Sequence, residues 1–405
     1  MFKDAQTLPG KVVKEKTVVA GILPRIDSVD FLRGIIMVLM ALDHVRDFFT
    51  NVRYDPLDLS HTNAALFMTR WITHYCAPTF VFLAGTGAFL SSTRGKTKPE
   101  ISKFLFTRGL WLIFLEFTVV RFGWLFNFDY TLSIGQVIWA IGWSMIALSV
   151  LVYLPVTTIT IFGIVMIAVH NLFDGVTPDQ LGNFGWTWQI LHSGGDIIFA
   201  GNYIFIAAYP LVPWIGVMAA GFGFGKILLF EEEKRNKIFI SLGLGLTFAF
   251  VIIRGIDFYG DSNSWTSQNN FAFTLFDFID TTKYPPSLLY LLMTLGPAIA
   301  ILPLLEKVKG FVNKFFVTFG RVPMFYYIIH IPLIHLLAVL FALSSGINPD
   351  FMFSNIGPWA WTADWGYSLP IVYLVWTCVI LSLYPLSLWF SKVKKRTKSW
   401  WMSYF

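Results

Sequence analysis

Long apolar runs with almost no charge inside them constrain this chain more than any other feature. Stretches of about 20 apolar residues, the length that crosses a bilayer core, fall at 30–50, 66–90, 104–124, 135–154, 157–171, 203–225, 238–256, 286–305, 318–343 and 368–390. Only 13% of residues are charged and 56% are hydrophobic, where a soluble domain carries about 25% charged residues. The expected fold is therefore all-α: a polytopic integral membrane bundle of about ten transmembrane helices. One membrane body over 26–391 is expected between a cytoplasmic N-terminal tail, 1–25, and a basic cytoplasmic C-terminal tail, 392–405. The tail before the first run has no cleavable signal pattern, so that run is expected to act as an uncleaved anchor.

Orientation follows from the cations. Lys11 and Lys14, then Arg94 and Lys96, then Lys234 and Arg235, then Lys307 and Lys309, then Lys394 and Lys395 all fall on one side of ten crossings. Cytoplasmic loops are the ones enriched in Lys and Arg, which places both termini in the cytoplasm. The net charge of +6 then reports topology and a bilayer partner, not nucleic-acid binding. The two cysteines, Cys76 and Cys378, lie inside apolar runs and form no disulfide or metal pattern. The loops 51–65, 172–202, 257–285 and 344–367 on the far side are rich in Asp, Asn, Gly and Trp. Those residue types suit carbohydrate, although any extracytoplasmic loop shares them.

Within the first run, Arg33 and His44 are separated by ten residues. Eleven helical steps return His44 to within about 20° of Arg33, about 16 Å along the axis. Ionisable groups at membrane depth are costly and mark functional paths. A fixed cation followed by a titratable imidazole suggests a bound anion and a proton transfer. His61, in the following loop, and His74, on the second run, are expected near His44, each a candidate general base. The competing reading has each imidazole merely bonded to a neighbouring helix. Zinc is not expected, since no His-x-x-x-His spacing occurs. Asp47, three residues after His44, shares its face and is a candidate to orient the ring; Asp43 is expected to reach an arginine on another helix.

Small residues from Thr79 to Gly87 allow close helix packing, or passage of a slim cofactor. Arg94 and Lys96 just beyond would suit a phosphate together with Arg33, with plain positive-inside topology as the competing reading. Glu116 is expected to form an ion pair across helices. Pro210 and Pro213 are expected to interrupt the sixth run. Arg321 and His330 on the ninth run repeat the arginine-then-histidine order of the first.

Three segments carry a family resemblance: Arg25 to Gly34 with the Met-rich run to His44, Ala77 to Gly85, and Phe319 through Tyr327 to His330. With them the chain resembles the transmembrane acyltransferase superfamily, and most of all the bacterial relatives of heparan-alpha-glucosaminide N-acetyltransferase. The wider group shares the arginine, ten residues, histidine signature matched by Arg33 and His44. The resemblance implies a ten- or eleven-span bundle in a bacterial inner membrane. It also implies an acetyl-CoA co-substrate taken from the cytosol and a sugar or amino-sugar acceptor on the other side. In that reading His44, His61, His74, Asp47 and Asp43 serve catalysis, directly or through an acetyl-histidine relay. Arg33, Arg94, Arg321 and His330 hold the donor. The lysosomal members carry asparagine at the position of His44, and the active histidine proposed for them falls nearest His61. A homodimer is left open. The alternative is a proton-coupled secondary transporter of a small polar solute, which interrupted helices and buried His, Asp and Arg would suit.

Overall fold

The computed structural model describes residues 27–397 apart from 200, 202 and 363, together with 399 and 402. The expected N-terminal tail, 1–25, lies outside them. Helices follow one another through the chain: α1 (Asp27–Phe49), α2 (Ala64–Trp71), α3 (Cys76–Ser92), α4 (Lys98–Leu115), α5 (Arg121–Leu125), α6 (Val137–Leu151), α7 (Val156–Val169) and α8 (Gly185–Trp188). Then come α9 (Leu211–Phe224), α10 (Glu232–Ile256), α11 (Phe271–Ile279), α12 (Leu288–Ala300), α13 (Leu302–Lys307), α14 (Gly310–Arg321), α15 (Pro323–Ser344) and α16 (Leu369–Arg396). Among the described residues six helical segments are long and apolar enough to cross a membrane, which makes this a multi-pass membrane protein: Val156–Phe173, Leu211–Leu229, Glu232–Ile256, Leu288–Lys307, Pro323–Ser344 and Leu369–Arg396.

α1 has the length to cross as well, but carries Asp30, Arg33, Asp43, Arg46 and Asp47. It sits inside the bundle against α3, α14, α15 and α16, so protein and not lipid surrounds those charges. Asp27 and Asp30 in its first turn and Arg46 in its last complement the helix dipole. The tightest approach is to α14. A Cβ on Gly34 would stand 1.9 Å from the Phe316 carbonyl oxygen, and one on Gly320 1.8 Å from that of Asp30. Only glycine lets the two backbones touch at both places.

Several expected boundaries move, each for a local reason. The second run is broken: α2 ends at Trp71, a 3₁₀ turn covers Ile72–Tyr75, and α3 begins at Cys76. Pro78 has no N–H to give the carbonyl of His74, and that carbonyl accepts from the Tyr290 hydroxyl at 2.8 Å. The sixth run starts late. Pro210 is the N-cap of α9 and Pro213 lies in its first turn, so the prolines begin the helix and do not interrupt it. The preceding Tyr203–Ala207 is a β-strand, β3. It pairs parallel to β1 (Leu132–Ile134) and antiparallel to β2 (Gly195–Phe199). The ninth run is two helices. α14 ends at Arg321 and Pro323 opens α15, so Arg321 and His330 do not share a helix. Glu116 makes no cross-helix ion pair among the described residues; its Oε2 accepts from the Trp139 backbone N–H at 3.0 Å, capping the start of α6. Arg121 is satisfied by the carbonyls of Asn127, Asp129 and Leu132.

Two predictions follow the packing and the loops. Gly320→Ala must separate α14 from α1 and should lower stability by roughly 1–3 kcal/mol, read as a lower melting temperature in detergent; an unchanged melt would deny the backbone contact. In the loop before α12, burial, with Asp55 close by, pushes the Asp280 carboxyl up to about 7. The folded state then holds this proton more tightly than the unfolded chain does, so its contribution to stability is lost as pH rises from about 4 towards 7. Asp280→Asn should remove that part of the decline, with melts at both ends of the window as the check.

Candidate active site

α1 and α15 bring two imidazoles into contact. His44 Nδ1 lies 2.8 Å from His330 Nε2, and the rings are nearly parallel, 19° apart with centroids at 4.9 Å. The far nitrogen of His330 fixes the protons. Its Nδ1 faces only carbonyl oxygens, Tyr327 at 2.8 Å and Tyr326 at 3.1 Å. Carbonyls accept, so that nitrogen carries hydrogen and His330 Nε2 presents a lone pair. In the neutral pair His44 Nδ1–H therefore donates, and the remaining lone pair is on His44 Nε2. This assignment follows from the acceptors, not from observed hydrogens. The Trp124 ring meets His44 edge-on at 4.9 Å.

The other expected catalytic residues divide differently from the sequence grouping. Asp47 does not orient His44: its carboxylate accepts from Arg46 Nη2 at 2.6 Å. Asp43 does reach an arginine on another helix, accepting from Arg70 Nη1 at 2.9 and 3.0 Å. It also pairs with Arg46 at 2.9 Å and with Lys283 at 4.0 Å. His74 is buried against Tyr290, rings at 5.5 Å. Both its ring nitrogens are without a hydrogen-bond partner among the described residues. His61 is exposed in a turn, where its Nδ1 lies 2.7 Å from Ser60 Oγ and 2.9 Å from Asp58 Oδ2. Hydrogen bonds from Ser60 and His61 hold the Asp58 carboxyl down at about 2. The three imidazoles do not share one cluster; the partner of His44 is His330, which the sequence reading had grouped with the donor-holding cations. The signal for this pairing was the arginine-then-histidine order common to both runs.

Below the pair, towards the first turns of α1 and α15, lies a cavity of about 430 Å³, within the usual range for small-molecule sites. Among the described residues six cationic side chains line it, Arg33, Arg94, Lys96, Arg108, Arg321 and Lys394, and no carboxylate does. Asp30, 3% exposed, ties two of them down, at 3.1 Å from Arg33 and 3.8 Å from Arg321. The Phe104 ring lies under Lys96 at 4.5 Å and Arg108 at 5.8 Å. The deeper wall is apolar, including Met37, Leu112, Ile138 and Met145, and it reaches Tyr327. The Tyr327 ring is 5.4 Å from that of His330. The small-residue face of α3 serves two purposes. Gly85 packs, since a Cβ there would stand 2.0 Å from the Met218 carbonyl oxygen, whereas Gly87 lines the cavity and a Cβ there would meet nothing within 4 Å. Among the described residues no three His, Cys, Asp or Glu side chains converge as a metal site would require.

Fold and site together define a multi-pass membrane protein with a cation-lined cavity set against a histidine pair. The profile of the family described as heparan-alpha-glucosaminide N-acetyltransferase, catalytic, matches residues 25–261 of the chain. The chain belongs to that family, a family of membrane acetyltransferases. No curated protein matches the chain closely enough to count as a relative.

By this geometry Asp43 is the hub of an ion-pair network. Asp43→Ala leaves Arg70 and Lys283 without their carboxylate and should cost about 3–5 kcal/mol, seen as lost folded yield and a lower melting temperature. Asp47→Ala, which removes one neighbour pair, should cost far less. Equal effects would contradict the assignment.

Proposed function

We propose that this protein transfers an acetyl group from cytosolic acetyl-CoA to a sugar or amino-sugar acceptor on the opposite side of a bacterial inner membrane. The bundle crosses ten times with both termini in the cytoplasm, so the basic end of the cavity opens to the cytosol. The observation that carries the reading is one cavity with six cations at its mouth and an apolar floor one ring away from the His44–His330 pair. Three phosphate groups and an uncharged arm ending in a thioester fit that order of surfaces. Arginines bind phosphates through two parallel hydrogen bonds and are the expected holders. A transporter of a small polar solute has no need of a cationic mouth leading to an apolar floor.

In the step itself, His44 Nε2 takes the proton from the acceptor hydroxyl or amine as it attacks the thioester carbonyl. His330 stabilises the imidazolium that forms, through the 2.8 Å contact and the two carbonyls behind it. It does for His44 what Asp47 was expected to do. Arg33, Arg94 and Arg321 hold the donor. His61 lies in the loop facing the acceptor side and has no part in proton transfer.

His44→Ala should lower kcat by 10²–10⁴ with acetyl-CoA binding retained. Arg33→Ala should raise the KM for acetyl-CoA about 10–100-fold, the equivalent of one charged hydrogen bond, with a smaller effect on kcat. Steady-state release of CoA thiol by purified protein measures both. Retained activity in His44→Ala with loss in His61→Ala would move the base to the outer loop.

A further inference from the structure

One buried polar atom beside the cavity floor has no part in the scheme above. Tyr327 is 5% exposed and lines the cavity, yet its hydroxyl is buried with no hydrogen-bond partner among the described residues. Burying a hydroxyl unbonded costs on the order of 1–3 kcal/mol, a cost that phenylalanine would avoid with the same packing. The other hydroxyl on the cavity wall, Ser91, is three residues before Arg94 at the basic mouth. Tyr327 therefore supplies the neutral donor at the deep end.

The position suits one chemistry. Tyr327 precedes His330 by three residues, about one helical turn. Both α1 and α15 begin at the basic end, since Arg33 and Pro323 line the same cavity. Side chains lean towards the N-terminus of their helix, so His44 and Tyr327 both tilt back towards the cavity. Met37, seven residues before His44 and so about 10 Å below it, forms the wall beside them. An acyl carbonyl at the floor would have the phenol at its side and the imidazole pair one ring beyond, since His44 and His330 do not themselves line the cavity.

We propose that Tyr327 is a catalytic residue whose hydroxyl donates to the carbonyl oxygen of the bound thioester and stabilises the oxyanion formed on it. This rests on the transferase reading given above. The acceptor lone pair forms a bond to the carbonyl carbon as its proton passes to His44 Nε2. The C=O π pair moves to oxygen, where Tyr327 O–H holds it. As the oxygen pair returns, the C–S bond breaks, and the thiolate leaves with that pair and takes the proton back from His44. The phenol donates throughout and ends unchanged. A preorganised donor aimed at developing charge in a water-poor site acts on the transition state more than on the ground state.

Tyr327→Phe tests this in the full-length protein, with CoA thiol release from acetyl-CoA and glucosamine as acceptor. Loss of one oxyanion donor should lower kcat by about 10²–10³, with KM for acetyl-CoA unchanged within about threefold. The melting temperature should be equal or higher, because the hydroxyl has no partner to lose. Ser144→Ala is the control. Its hydroxyl is also buried and without a partner among the described residues, but it does not line the cavity, and its kcat should match wild type. A Tyr327→Phe kcat within about threefold of an active wild type overturns the role alone. So does a variant that loses melting temperature or acetyl-CoA affinity in place of kcat, which a structural tyrosine would do. A wild type that releases no thiol overturns the transferase reading, and this role with it.

Discussion

Lipid cannot solvate α1, and the rest of the molecule is arranged to meet that constraint. A helix carrying Asp30, Arg33, Asp43, His44, Arg46 and Asp47 has to be enclosed on every side by protein or by a polar cavity. Gly34 and Gly320 bring α14 against its first half. There Asp30 anchors Arg33 and Arg321 at the mouth of the cavity. Arg70 from α2 and Lys283 from the loop before α12 meet Asp43 in its second half. The charges thus sort along one helix: a basic cavity at its start and an ion-pair network towards its end, with one imidazole inside that network's span bonded to another. His44 is left to hydrogen-bond a second imidazole, while the neighbouring carboxylates Asp43 and Asp47 are held by arginines.

Much of the fold was legible. Each expected apolar run contains helix, although the run 203–225 opens in β3, and among the described residues six helical segments are long and apolar enough to cross a bilayer. What the runs hid were the breaks within them. Proline placement decides those breaks, and its effect depends on where a helix starts: Pro210 and Pro323 begin helices, while Pro78 frees a carbonyl for Tyr290. The small sheet was hidden too, because Tyr203–Ala207 is as apolar as a helix and reads as one by hydropathy alone.

The site was legible by type more than by partner. Arg33, Arg94 and Arg321 do line one cavity, which charge in and beside apolar runs suggested. Spacing along one helix, however, cannot reveal a contact between two. Asp47 looked like the natural orienter of His44 because it is three residues away, yet Arg46 holds it and His330, from the far end of the chain, holds His44. His61 and His74 were grouped with His44 by nearness in sequence. One turned out to sit in an exposed turn and the other against Tyr290. The unbonded hydroxyl of Tyr327 left no trace in the sequence at all.

The central claim is that one cavity carries the donor from its basic mouth to the histidine pair. An experimental structure with a non-transferable acetyl-CoA analogue tests it most directly. The account predicts phosphate density among Arg33, Arg94 and Arg321, with the acyl carbonyl at the floor beside Tyr327 and His44. Phosphates bound elsewhere, or an acyl group ending beside His61 in the loop after α1, would contradict it.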